Sequence, residues 1–153
     1  LRDYHAENLL WLPDRDGTAR VGLLDFQDAM AGHPAYDLVS ILQDARRDVP
    51  AAVETQMIAR YSTASPQDAT EFARAYALLG LQRNLRILGV FARLCIRDGK
   101  AHYVDLIPRV WGHIQTNLKH PDVAPLANLL AGLPAPDAET LNRIKSQCAT
   151  PPS

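Results

Sequence analysis

The sequence predicts an α+β chain that is mainly helical: one β-hairpin near the start, then about six helices. Three observations carry this. Two short apolar runs flank a turn-rich stretch around Asp16-Gly17, the pattern of a hairpin. From residue 36 onward apolar residues recur at helical spacing, without a further pair of alternating strands. Prolines and capping residues divide that remainder into helix-sized pieces.

The elements follow in order. Leu9–Leu12 is the first apolar run, Pro13–Thr18 the turn, and Val21–Phe26 a second strand that carries Asp25 near its end. His33-Pro34 marks a turn, after which Asp37 is placed to cap a helix over Leu38–Arg47. Ala51–Tyr61 reads as the next helix. Ser65-Pro66 then offers a cap and a first-turn proline to a long helical stretch, Gln67–Arg97, in which Gly80 and Gly89 are positions for a break or bend. Tyr103–Leu118 follows, closed by Pro121, with two shorter helices near Pro125–Leu130 and Ala138–Cys148 and a frayed tail at Ala149–Ser153. The 153 residues are expected to make one domain, with a loop-and-hairpin part over 1–30 and a helical part over 36–148.

Composition narrows the function classes. Hydrophobic residues make up 47% and charged residues 22%, ordinary for a protein with a packed core. A formal net charge of −1 supplies no basic field for nucleic acid or anionic lipid, so neither is expected as a partner. No apolar run approaches the ~20 residues of a membrane span. Cys95 and Cys148 have neither zinc-ligand spacing nor the look of a disulfide framework, which fits a reduced, cytoplasmic setting. The chain opens on Leu1 rather than Met, with its chemically richest residues starting at position 3, and is expected to be part of a longer protein.

Asp3, Asn8 and Asp25 form the candidate site. A hairpin brings Asn8 and Asp25 to the same open end of two strands, although 17 positions separate them in the chain. One carboxylate to accept a proton, with a second carboxylate and an amide oxygen as hard ligands, is a set suited to magnesium-assisted phosphoryl transfer. The alternative is a group of solvated turn carboxylates.

Leu1-Arg2-Asp3-Tyr4-His5-Ala6-Glu7-Asn8 resembles the kinase catalytic loop H-R-D-x-x-x-x-N from its second residue onward, and Leu24-Asp25-Phe26-Gln27 stands where protein kinases carry D-F-G. Gly32-His33-Pro34-Ala35-Tyr36-Asp37-Leu38 resembles the segment that follows the metal-binding Asp in aminoglycoside phosphotransferases and their choline-kinase-like relatives. Within that family the wording of residues 1–8, 24–29 and 36–48 is similar to the bacterial anomeric N-acetylmuramate/N-acetylglucosamine kinases of cell-wall recycling. The resemblance implies the C-terminal, catalytic lobe of a protein-kinase-like fold, with the N-terminal ATP-binding lobe absent from this chain. It implies Asp3 as catalytic base, Asn8 and Asp25 as Mg2+ ligands, Asp37 as a structural cap, ATP as co-substrate and a small-molecule sugar as acceptor. Leu1 and Gln27 depart from the pattern, and no Ala-Pro-Glu segment follows, which argues against a protein substrate.

Substrate contacts are open to several residues. His5 and Glu7 lie inside the catalytic loop, where loop packing is an equal explanation. Asp28 either meets substrate or caps a turn, and Arg46 can help hold an anion. Arg83, Arg86, Arg93 and Arg97 fall within about 80° of one helix face. That stripe would suit a carboxylate-bearing sugar better than a cationic antibiotic, and a solvated helix face is the other reading. An aminoglycoside or amino-alcohol kinase keeps the chemistry and changes the acceptor; a non-catalytic scaffold lobe abandons the chemistry.

Overall fold

The computed structural model describes residues 1–149, so the end of the expected frayed tail, from Thr150, lies outside the described residues. Two strands form an antiparallel hairpin, β1 (Leu9–Trp11) and β2 (Val21–Leu23), paired Leu9↔Leu23, Leu10↔Gly22 and Trp11↔Val21. The α-helices are α1 (Ala35–Leu42), α2 (Ala51–Ala64), α3 (Ala69–Asp98), α4 (Ile107–Asn117), α5 (Ala127–Leu130) and α6 (Ala138–Ser146). Short 3-10 turns lead into β1, β2, α4 and α5. Among the described residues no helix is long and apolar enough to cross a membrane.

The chain divides into two compact units, Leu1–Tyr76 and Ala77–Ser153, with the boundary inside α3. In the first unit the hairpin connection is wider than a two-residue turn. Leu12 N–H still bonds the Arg20 carbonyl at 2.8 Å, and Gly17 takes the left-handed φ of +53° that a Cβ would disfavour. Ala35, Val39, Leu42, Phe72 and Tyr76 are buried, and Tyr61 stacks on Phe72 with ring centroids 4.8 Å apart. The hairpin and the segment after it leave Leu10, Trp11, Leu24, Phe26 and Met30 exposed.

Two caps differ from the sequence expectation. Asp37 does not cap α1: that helix begins two residues earlier, at Ala35, and ends at Leu42 rather than Arg47. Its N-cap is Pro34, which has no side-chain acceptor to offer, and Asp37 sits within the first turn. Ser65 likewise yields its place at the start of α3 to Asp68, whose Oδ1 accepts the N–H of Thr70 (2.9 Å) and Glu71 (3.0 Å). Ser65 instead accepts the N–H of Gln67 in the turn before it.

In the second unit α3 runs unbroken through both glycines. Gly80 has a packing reason to be glycine: a Cβ there would lie 2.7 Å from the amide of buried Asn117. Asn84 donates to the Gly80 carbonyl at 2.9 Å in the same buried region. Gly89 meets nothing within 4 Å. Gly99, at φ +68°, ends the helix with its N–H on the Cys95 carbonyl, the usual left-handed stop. Val104, Val110, Ile114 and Val123 are buried in this unit, and Asp137 caps α6 by accepting the Thr140 N–H at 2.8 Å.

Candidate active site

The loop 1–8 has no regular structure before the 3-10 turn at Ala6–Asn8, so its shape must come from specific hydrogen bonds. Three converge near Asp3 and Asn8. His5 N–H donates to the Asp3 carbonyl at 3.0 Å, Asn8 N–H to the His5 carbonyl at 2.9 Å, and Asn8 Nδ2 to the Asp3 carbonyl at 2.9 Å. With Nδ2 committed to that carbonyl, the amide is oriented and Asn8 Oδ1 is left as an acceptor. His5 Nε2 lies 3.4 Å from Asn8 Nδ2, while its Nδ1 is buried with no hydrogen-bond partner among the described residues. The Asp3 carboxylate is exposed and engaged by no described residue.

The hairpin adds Asp25. Leu24 N–H donates to the Asn8 carbonyl at 2.9 Å, extending the β1–β2 ladder by one rung and placing Asp25 next in the chain. Strand geometry then stops, because Asp25 turns to φ +53°. Its Oδ1 accepts from Gln27 Nε2 at 2.5 Å, so Gln27 orients the carboxylate and leaves Oδ2 available. Arg2, at φ +71°, is the other non-glycine residue in this region of backbone space. Each such residue costs about 1–2 kcal/mol. Both occurrences among the described residues sit at Asp25 or next to Asp3, so the strain coincides with the candidate chemistry.

Two carboxylates of the following segment hold the loop in this shape. Asp37 Oδ1 accepts the backbone N–H of Arg2 at 2.9 Å, and its Oδ2 pairs with the terminal ammonium of Leu1. Asp44, 2% exposed, accepts from the Ala6 N–H at 3.4 Å and from the Arg46 N–H at 2.9 Å. Arg46 Nε in turn reaches the Glu7 carboxylate at 3.2 Å. Behind them Glu54 Oε1 accepts from Gln43 Nε2 (3.0 Å) and Tyr76 Oη (2.7 Å). Burial, reinforced by the Glu54 charge, pushes the Tyr76 hydroxyl far above its ordinary range, so Tyr76 remains a donor.

The sequence-predicted residues therefore separate into four groups. Asp3, Asn8 and Asp25 are linked through the loop and the ladder, with His5 against Asn8. Glu7 and Arg46 pair with each other. Asp28 is exposed and engaged by no described residue, within the turn in which Ala29 N–H bonds the Phe26 carbonyl. Arg83 and Arg86 lie in the second unit; Arg83 is only 8% exposed, and both are engaged by other residues. The arginine stripe is thus not an evenly solvated face. Sequence reasoning missed Asp44, Gln27 and the Gln43–Glu54–Tyr76 cluster. The Asp44 contact spans 38 positions and has no local pattern that announces it.

Among the described residues no three His, Cys, Asp or Glu side chains converge as a metal cage. Asn8 Oδ1 and Asp25 Oδ2 are the donors this site can offer.

The phosphotransferase enzyme family matches residues 1–78, close to the extent of the first unit. An N-acetylmuramate/N-acetylglucosamine kinase of Caulobacter vibrioides is 53% identical over 126 residues, 82% of this chain and 35% of that protein. Proteins of the same name from Pseudomonas aeruginosa and Neisseria meningitidis are each 36% identical, over 87% and 86% of this chain and 40% of their own length. The chain thus spans 35–40% of the length of these curated relatives. With more than half of its residues covered by the family match, the chain belongs to the phosphotransferase enzyme family.

Proposed function

We propose that the whole protein is an ATP-dependent kinase that phosphorylates the anomeric hydroxyl of N-acetylmuramate or N-acetylglucosamine, a cytoplasmic step of cell-wall recycling. The observation that carries this reading is the Asn8 hub: one side chain bonds the Asp3 carbonyl while its own carbonyl takes the rung that leads to Asp25. The names of the relatives supply the acceptor.

In this reading Asp3, exposed and unengaged, accepts the proton of the attacking sugar hydroxyl and orients that oxygen in line with the γ-phosphorus. Asn8 and Asp25 are the protein ligands of Mg2+, which when bound neutralises charge on the phosphates. Gln27 fixes the rotamer of Asp25, and Asp37 and Asp44 keep the loop from relaxing between turnovers. His5 and Asp28 are the candidates for sugar contact. Glu7 and Arg46, paired with each other, are assigned to positioning. Gripping the adenine and triphosphate falls to parts of the whole protein outside these 153 residues, as does covering the apolar surface at Trp11, Phe26 and Met30. The relatives' greater length leaves room for both.

The test is ADP release by the whole protein with magnesium and ATP, over N-acetylmuramate, N-acetylglucosamine, kanamycin and choline. Turnover on the N-acetyl sugars that disappears with chelator is expected. Turnover on kanamycin alone would keep the chemistry and overturn the acceptor; no turnover on any of them would overturn both.

A further inference from the structure

Cys95 and Cys148 lie 53 positions apart, yet they share one carbonyl. Cys148 Sγ donates to the Cys95 carbonyl at 3.0 Å, and the N–H of the next residue, Ala149, donates to the same oxygen at 3.1 Å. The Cys95 thiol points back at α6, with Sγ 3.7 Å from the Ile144 carbonyl. Each residue thus directs its sulfur at the backbone of the other segment, and the two thiols are near enough to interact with each other. Both are free thiols in this structure, Cys95 buried and Cys148 partly exposed.

The segment this pair would fasten is lightly held. α6 contains no fully buried residue. Its charged link to the rest of the unit is a surface pair, Lys145 Nζ to Asp105 at 2.5 Å, and exposed pairs of this kind contribute little. An apolar cavity of about 160 Å³, lined by Leu88 and Ala92 of α3, Trp111 of α4, and Leu141 and Ile144 of α6, leaves the packing under α6 incomplete. Elements with few buried contacts open at low free energy. A covalent link at their end therefore changes their freedom most.

We infer that Cys95 and Cys148 are a redox site: a reversible disulfide between them staples the end of α6 to α3. The oxidant is a small-molecule disulfide. The partly exposed Cys148, as thiolate, attacks one sulfur of that disulfide, forming a mixed disulfide and releasing the first small thiol. Cys95 then loses its proton and attacks the Cys148 sulfur, breaking the mixed disulfide and releasing the second small thiol. Two cysteines are oxidised, one small disulfide is reduced to two thiols, and both protons leave with them. Burial, and then the neighbouring Cys148 thiol, push the Cys95 thiol up to about 11, which keeps its reactive thiolate scarce. A larger excess of small thiol reverses the sequence.

The test treats the whole protein with oxidised glutathione, maps its peptides without reduction, and follows hydrogen exchange across residues 138–146. The expected result is a linked peptide pair containing Cys95 and Cys148, with α6 amides exchanging several-fold more slowly than in the reduced protein and recovering after dithiothreitol. Cys148→Ser should lose the link. Cys95→Ala should instead accumulate glutathione on Cys148, and because the two variants perturb packing differently, failure of one to fold leaves the other informative. A wild-type protein that stops at a stable Cys148–glutathione adduct, or that forms the link without slowing exchange in α6, would overturn the inference.

Discussion

The two units organise polar groups in opposite ways. In residues 1–76 the side chains with chemical potential stand on a loop and a hairpin of two three-residue strands, and buried or half-buried acids hold the backbone from behind: Asp37 on Leu1 and Arg2, Asp44 on Ala6. In residues 77–149 the buried polar groups serve helix packing, as with Asn84 on the Gly80 carbonyl and Asn117 against Gly80. The first unit keeps left-handed backbone at two non-glycine residues; in the second the only described residue at positive φ is a helix-ending glycine. Strain tolerated at a non-glycine residue needs surroundings that over-determine it. The first unit has them in its carboxylate braces, which is why a site can be built there with so little regular structure.

The sharpest way to break this contrast is at Asp3. Asp3→Asn in the whole protein should lower kcat roughly 10²–10⁴-fold, the range for loss of a positioned general base, with the melting temperature unchanged. A kcat within a few-fold of wild type would remove Asp3 from the chemistry. Next comes the brace. Asp37→Ala strips the acceptor from the Arg2 backbone N–H and the partner from the Leu1 amino group, and should destabilise the protein by about 1–3 kcal/mol in urea titrations while also lowering kcat. The second unit should behave otherwise. In Gly80→Ala the new methyl meets Asn117, and overpacking of about 1–3 kcal/mol outweighs the ~1 kcal/mol that alanine gains in a helix. The variant should lose stability, with kcat per folded molecule preserved. Gly89→Ala, with open space around it, should gain up to about 1 kcal/mol.

The smallest effect is at Asp137. Hydrogen bonding by the Thr140 N–H holds its carboxyl below the ordinary 3.8, so the folded state binds that proton more weakly than the unfolded state. Its contribution is therefore present above 3.8 and is lost as pH falls through the folded value. Wild type and Asp137→Asn should differ in melting temperature near neutral pH and converge in acid.

Much of the fold could be read from pattern. Helical periodicity located α2, α3, α4 and α6 to within a few residues, because amphipathic spacing is a local property. Starts were less legible. Ser65-Pro66 and Asp68 both carry cap signals, and only the structure shows that Asp68 takes the N–H groups of Thr70 and Glu71. The two glycines of α3 looked alike in sequence and differ entirely in surroundings, since the contact that distinguishes Gly80 comes from Asn117. In the candidate site, Asp3, Asn8 and Asp25 stood out through spacing and the hairpin. Asp37 was legible as structural but not as a brace, and Asp44 was not legible as either. Both act over more than 30 positions on main-chain nitrogens, and main-chain nitrogens leave no trace in the identity of Leu1, Arg2 or Ala6.

The most direct test of the central claim, that the loop-and-hairpin unit carries phosphoryl transfer to an anomeric hydroxyl, is phosphorus NMR of the product. The whole protein would be given N-acetylmuramate, magnesium and ATP. The account predicts a sugar 1-phosphate resonance, split by the anomeric proton, that grows with the ADP signals and is absent with Asp3→Asn. Phosphate on another hydroxyl, or a 1-phosphate formed equally fast by Asp3→Asn, would contradict it.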